Sequence, residues 1–165
     1  MSLVENGLEY LIYIKKGDEM EYKEFVNLLS VSAKKVGFRK YKKDFIYDAE
    51  KIVIIVNIQK SNFDESYYIN YGFILKEIHN LVEYPKINEC DYIGRFTNYL
   101  GDKEEYNFKL NSLEKELFEN GLKRNISKFI LPLIEEGIWK YFDLFPEAIA
   151  STKLVLKQYL NNIEM

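Results

Sequence analysis

The sequence predicts an α+β fold, an antiparallel sheet of five to six strands with N-terminal and C-terminal helices packed on one face. Three observations carry this. An apolar stripe of helical period runs through 19–36. From 38 to 110 the apolar residues fall in short runs with period two, separated by turn residues rather than by helical segments. Helical spacing then returns from Leu113 onward. Strands that follow one another this closely pair antiparallel, because a parallel neighbour needs a crossover of a dozen residues or more.

Taken in order, 1–7 reads as a tail, Leu8–Ile14 as a short strand and Lys15-Lys16-Gly17-Asp18 as a turn. Asp18 and Glu21 have the spacing of a capping box. Tyr22, Phe25, Val26, Leu29, Ala33 and Val36 then recur at three and four, which predicts a helix over 19–36. Gly37 stands where a left-handed cap belongs, and Lys34 and Lys35 suit the negative end of the helix dipole. Phe38–Tyr41 and Asp44–Asp48 read as two strands joined at Lys42-Lys43. The β-branched run Ile52–Ile58 reads as a central strand. Ser66–Lys76 and Cys90–Leu100 read as two long strands, and Tyr106–Leu110 as a short one. Asn111 and Glu114 suggest a second capping box, opening a helix that Pro132 should kink and Gly137 should stop. Pro146 suits the first turn of a last helix, about 146–163.

With 165 residues, 8 Gly and 3 Pro, the chain has no linker-like stretch. Residues 20–165 are expected to form one domain behind an N-terminal extension, 1–19. One Cys excludes an internal disulfide, and one His leaves no imidazole pair for zinc. No metal or cofactor is expected, and no catalytic set is assigned. Phosphate-loop, dinucleotide-binding and nucleophile-elbow motifs are absent. Cys90 reads as a small buried hydrophobe, His79 as a surface or packed residue, and Glu104-Glu105 and Glu135-Glu136 as solvated pairs. No stretch reaches the length of a membrane span, and the lone Cys fits a reducing cytoplasm.

Net charge is −3. The average conceals a basic segment: residues 15–43 carry nine basic and four acidic groups. Lys34, Lys35, Arg39, Lys40, Lys42 and Lys43 form a basic patch that suits an acidic partner or a phosphate backbone, or guards a sheet edge against aggregation. Strand alternation yields a second candidate. Asn57, Gln59, Tyr68 and Asn70 fall on the side of the sheet opposite the aromatic core positions, with Arg95 beside them. Amides, a phenol and a guanidinium on a rigid sheet suit recognition of a ligand or partner.

Several short motifs occur in order: Phe25 with Gly37-Phe38, Ile58-Gln59-Lys60-Ser61, Ile69-Asn70-Tyr71-Gly72, Glu89-Cys90 with Arg95, and Leu131-Pro132-Leu133. In this order the chain resembles the bacterial domain of unknown function 4304 family, over about 20–136. The resemblance implies one compact domain and this strand order, and supplies no mechanism. It places the family start near Met20. The sequence departs from the family pattern at Thr97, where a Gly is usual, and at Tyr106-Asn107-Phe108, where the family strand is Trp-rich.

Three functional readings follow. The first is a non-enzymatic module that binds another protein, an immunity protein that blocks a toxin being one version. The second is a small anionic-ligand binder or enzyme using Gln59, Asn70 and Arg95; it requires a concave pocket there. The third is nucleic-acid binding through 34–43. The chain is expected to be a monomer or homodimer.

Overall fold

A computed structural model of the protein describes residues 19–164. The expected strand at Leu8–Ile14 and the cap at Asp18 lie outside the described residues. Helix α1 spans Tyr22–Lys35 and buries Phe25, Leu29 and Ala33, one residue per turn. Glu21 is its N-cap and makes no side-chain capping bond. Its other end closes as expected. Gly37 has φ +102°, its N–H donates to Lys34 O (3.2 Å), and Phe38 N–H donates to Ala33 O (3.1 Å). These two bonds satisfy carbonyls that would otherwise be orphaned, and Phe38 enters the core.

The main sheet contains β1 (Arg39–Tyr41), β2 (Asp44–Asp48), β3 (Ile52–Lys60), β4 (Ser66–Leu75) and β5 (Tyr92–Arg95) in that order. A nine-pair ladder from Ile52↔Leu75 to Lys60↔Tyr67 joins β3 and β4. The expected strand Cys90–Leu100 is broken. After β5 the chain leaves the sheet and forms a separate hairpin, β6 (Asn98–Leu100) with β7 (Lys103–Glu105). It returns as β8 (Asn107–Lys109), which pairs with β4 at Ser66–Tyr68, on the side of β4 that β5 occupies further along.

The break has a visible cause in Asn125. Its Oδ1 accepts from Thr97 N–H (2.8 Å), while its Nδ2 donates to Thr97 O (2.8 Å) and Gly121 O (2.9 Å). One amide side chain thus replaces the strand that Thr97 lacks.

Asn125 ends helix α2 (Lys115–Asn125), whose N-cap is Glu114. Asn111 lies in a short 3₁₀ turn, so the second expected capping box is absent. The helix continues as a π turn over Ile126–Ile130 and resumes as α3 (Leu131–Glu136). Pro132 accounts for the wide turn: it has no N–H for the carbonyl four residues back, and its ring crowds that carbonyl. Gly137, at φ +85°, reverses the chain.

Two corrections follow. Ile138–Leu144 forms a helix, α4, that the sequence reading passed over. The last helix, α5, is Leu154–Glu164; Pro146–Ser151, expected as its start, is a 3₁₀ segment.

The helices contribute to the main core on the inner sheet face, with Phe25, Phe73, Tyr71, Phe118 and Tyr141 at its centre. Met20 is packed in this core and its N–H donates to Leu110 O (3.2 Å). The outer face carries a second, smaller cluster of Ile46, Val53, Ile55, Ile74 and Cys90. It is covered by Leu81, Tyr84 and Ile87 from the β4–β5 connection. Gly72 permits that cover, since a Cβ there would stand 3.0 Å from both Cys90 Sγ and Ile87 Cδ1.

The connection is fastened at both ends. Asp91, fully buried, accepts from Leu75 N–H (2.9 Å) and from His79 Nε2 (2.6 Å). Asp48 accepts from Lys76 Nζ (2.5 Å) and from the Tyr84 hydroxyl (2.9 Å), and Arg39 donates to that hydroxyl. These contacts, Lys76 first, hold the Asp48 carboxyl below its ordinary range.

Candidate functional site

Covering one part of the outer face leaves another part polar. Strand register places Asn57, Asn70 and Arg95 side by side on three adjacent strands, with Gln59 opposite Tyr68 one step along. All five predicted residues therefore meet in one patch. Asn70 is buried, Asn57 and Tyr68 are half-buried, and Gln59 and Arg95 are exposed.

Hydrogen bonding gives the patch a direction. Arg95 Nε donates to Asn70 Oδ1 (3.3 Å). A guanidinium can only donate, so the Asn70 oxygen must face it. The opposite end of that amide is then NH₂, which donates to Asn57 Oδ1 (3.1 Å) and Gln59 Oε1 (2.9 Å). Asn57 and Gln59 thus spend their oxygens inward and keep their NH₂ groups for another partner. The Arg95 guanidinium lies over the Tyr68 ring, 3.9 Å from its centroid, which fixes its plane. Such a contact is worth about 0.5–1 kcal/mol where exposed. Among the described residues, no carboxylate forms an ion pair with Arg95. The patch is therefore rich in donors and carries a positive charge, which suits carboxylate or phosphate oxygens.

Gln59, Asn70 and Arg95 line a cleft of about 720 Å³ along β5. Side chains from both sheet faces reach it. Ile93 and Arg95 come from the outer face, and Tyr92, with Phe129 and Phe145 behind it, from the inner. Glu104 and Tyr106 from around the β7–β8 turn, Lys128 from the π turn, Asn88 from the β4–β5 connection and Glu147 after α4 add further polar walls, two of them carboxylates. Alternation along strands could not reveal these contributors, because they come from elements remote in sequence. The one local signal was Gly94. A Cβ there would lie 2.4 Å from the Tyr71 ring, so only glycine lets that ring pass beneath the strand. The Tyr71 hydroxyl meets that of Tyr141 at 2.5 Å. Burial, ahead of the neighbouring phenols, drives both pKa values well above the ordinary phenol range.

The other candidates lie elsewhere. Lys34, Lys35, Arg39, Lys40, Lys42 and Lys43 are all exposed, at the end of α1 and on the β1–β2 hairpin, the sheet edge opposite the cleft. Arg39 also stacks over Tyr84 (4.9 Å), which joins it to the fastening of the outer cover. Cys90 is buried, and that burial, ahead of the Asp91 carboxylate, pushes its thiol up to about 12. It stays a thiol at neutral pH and lacks the thiolate form needed for attack. His79 is held on Asp91. Glu104-Glu105 and Glu135-Glu136 include no group of three or more His, Cys, Asp or Glu that could hold a metal, and none occurs among the described residues. No described helix is long and apolar enough to cross a membrane.

The family model described as Domain of unknown function (DUF4304) matches residues 30–136, about two thirds of the chain. The chain belongs to this family. The matched span holds α1 from its middle onward, the whole sheet, the outer cover and the helices through α3, and so includes all five residues of the polar patch. No curated protein and no solved structure matches the chain.

Proposed function

We propose that this member of the family is a binding module that holds an anionic group in the cleft along β5. The observation that carries the reading is the Arg95–Asn70 relay, which turns the free ends of Asn57, Gln59 and Arg95 into donors beside a cleft. Recognition by a preset donor array costs little reorganisation, because each side chain is already fixed by its neighbour. The reading keeps the expectation of a binding protein and selects the polar sheet face rather than the basic edge as its site. Part of the charge of the basic edge, that of Arg39, serves the Asp48–Tyr84 fastening.

The test is a thermal-shift and calorimetric titration with succinate, benzoate, phosphate and acidic peptides. An anion of millimolar affinity supplied at tenfold excess should stabilise the protein by about 1.4 kcal/mol. That corresponds to a rise of about 3–5 °C in Tm for a chain of this size. Arg95→Met should abolish the rise, and should lower the unliganded Tm by about 2–4 °C through loss of the Tyr68 stack and the Asn70 hydrogen bond. The reading is lost if no anion of either kind binds in an Arg95-dependent way.

A further inference from the structure

The cleft follows the free edge of a strand, and this suggests what enters it. Among the described residues, β5 ends the sheet path, with β4 on one side and no strand on the other. Its register is Asn70↔Arg95 and Tyr71↔Gly94, and Phe96 N–H donates to Ile69 O (2.8 Å). In an antiparallel pair, hydrogen-bonded and non-hydrogen-bonded positions alternate. If Phe96 bonds to β4, Gly94 does as well, and the N–H and C=O of Ile93 and Arg95 point away from the sheet. Among the described residues, no backbone or side-chain group outside the sheet bonds to either of them.

The walls fit this orientation. A cleft on one sheet face would be lined by alternate residues of β5. This one is lined by Tyr92, Ile93, Gly94 and Arg95 in succession, with the donor patch on the outer side and Phe129 and Phe145 on the inner. A chain laid along such an edge presents its side chains alternately to the two faces. Ile93 is 42% exposed. Beside β5 packs the 3₁₀ segment Pro146–Ser151, after which Lys153 N–H donates to Asp91 O (2.9 Å), so the added strand would run along Ile93–Arg95.

We propose that the cleft takes an extended peptide segment, which adds as a strand to the free edge of β5 and places a carboxylate on Arg95. The main chain would bond to Ile93 and Arg95. Side chains on one face, acidic, would meet Arg95 and Gln59, and those on the other, apolar or aromatic, would meet Tyr92, Phe129 and Phe145. The carboxylate is either that of an Asp or Glu side chain or the terminal one of the peptide. The proposal rests on the anion-binding reading and narrows it to a protein partner.

The experiment uses the full chain and an array of fluorescein-labelled pentapeptides. Asp or Glu alternates with Val, Leu, Phe or Tyr, each peptide with a free or amidated C-terminus, and succinate and benzoate run as a separate arm. Members of the array should bind, and Arg95→Met should weaken them at least tenfold. Ile93→Pro should do the same, because the lost N–H faces the free edge and not β4; its urea midpoint reports whether the fold survives. N-methylation of alternate peptide amides tests the same bonds without altering the protein, and should abolish binding in one frame only. Loss on amidation assigns the carboxylate to the C-terminus, and retention assigns it to a side chain. Binding of succinate or benzoate with none of the peptides overturns the strand proposal and leaves the anion site standing. Arg95-dependent peptide binding unmoved by N-methylation in either frame also overturns the strand. Absence of both kinds of binding removes the site as well.

Discussion

Replacing Asn125 by Leu asks whether one side chain decides where the sheet stops. The residue is 1% exposed and Thr97, its partner, 6% exposed, so water cannot readily substitute. Leu has the same branching and number of side-chain heavy atoms as Asn, with somewhat larger groups, but removes the acceptor of Thr97 N–H and the donor to Thr97 O. A buried backbone group left without a partner costs about 1–3 kcal/mol. Two such groups cost about 2–6 kcal/mol, and the better burial of Leu returns about 1 kcal/mol of this. The net loss is therefore about 3 kcal/mol, or about 6–12 °C in Tm for a chain of this length. Urea unfolding followed by circular dichroism measures it as a shift of midpoint at constant slope. Asn125→Asp should be worse than Leu, since it keeps an acceptor for Thr97 N–H but sets a buried carboxylate against Thr97 O. A loss below about 1 kcal/mol for Asn125→Leu would refute the account, because Thr97 would then have another way to satisfy its backbone.

Two further outcomes are expected. Lys42 holds φ +55° in the turn between β1 and β2. Lys42→Gly should raise stability by up to about 1 kcal/mol in urea unfolding, since glycine takes that conformation without a Cβ clash; a clear loss would mean that the lysine side chain, over Tyr41, contributes more than the strain. Tyr71 and Tyr141 have folded pKa values raised by burial, so their contribution is fully present below the unfolded phenol pKa of about 10. Above it the unfolded chain ionises first and stability should fall by about 1.4 kcal/mol per pH unit for each phenol. Chemical unfolding between pH 9 and 11 should show this decline flattened in a Tyr71→Phe/Tyr141→Phe double variant, and an equal decline in both proteins would rule the pair out as its source.

Much of the sheet was legible because a half-buried strand marks its faces by alternation. Ile52, Ile54 and Val56 against Asn57 and Gln59, and Tyr71 and Phe73 against Tyr68 and Asn70, assign inner and outer sides without reference to any partner. Gly37 was equally legible, since a positive φ at a helix end is a local demand. The capping boxes at Asp18 and Asn111 were read from spacing alone; in the structure α1 and α2 start later, at Glu21 and Glu114, so the second pairing does not occur and the first cap would lie outside the described residues. The strand break at Phe96-Thr97 was hidden because its cause, Asn125, lies 28 residues away. Helix α4 was missed because Gly137 is a stop for one helix and the N-cap of the next.

Periodicity, charge and residue counts therefore determined the fold class, the composition of each sheet face and the five residues of the polar patch. Those properties belong to single elements, where the backbone repeat alone sets which side chains share a side. The cleft, the direction of its donors and the free edge of β5 were decided only in three dimensions. Each depends on register between strands or on contacts from remote helices, and a hydrogen bond such as Arg95 to Asn70 acquires its meaning only when the next amide in the relay is known.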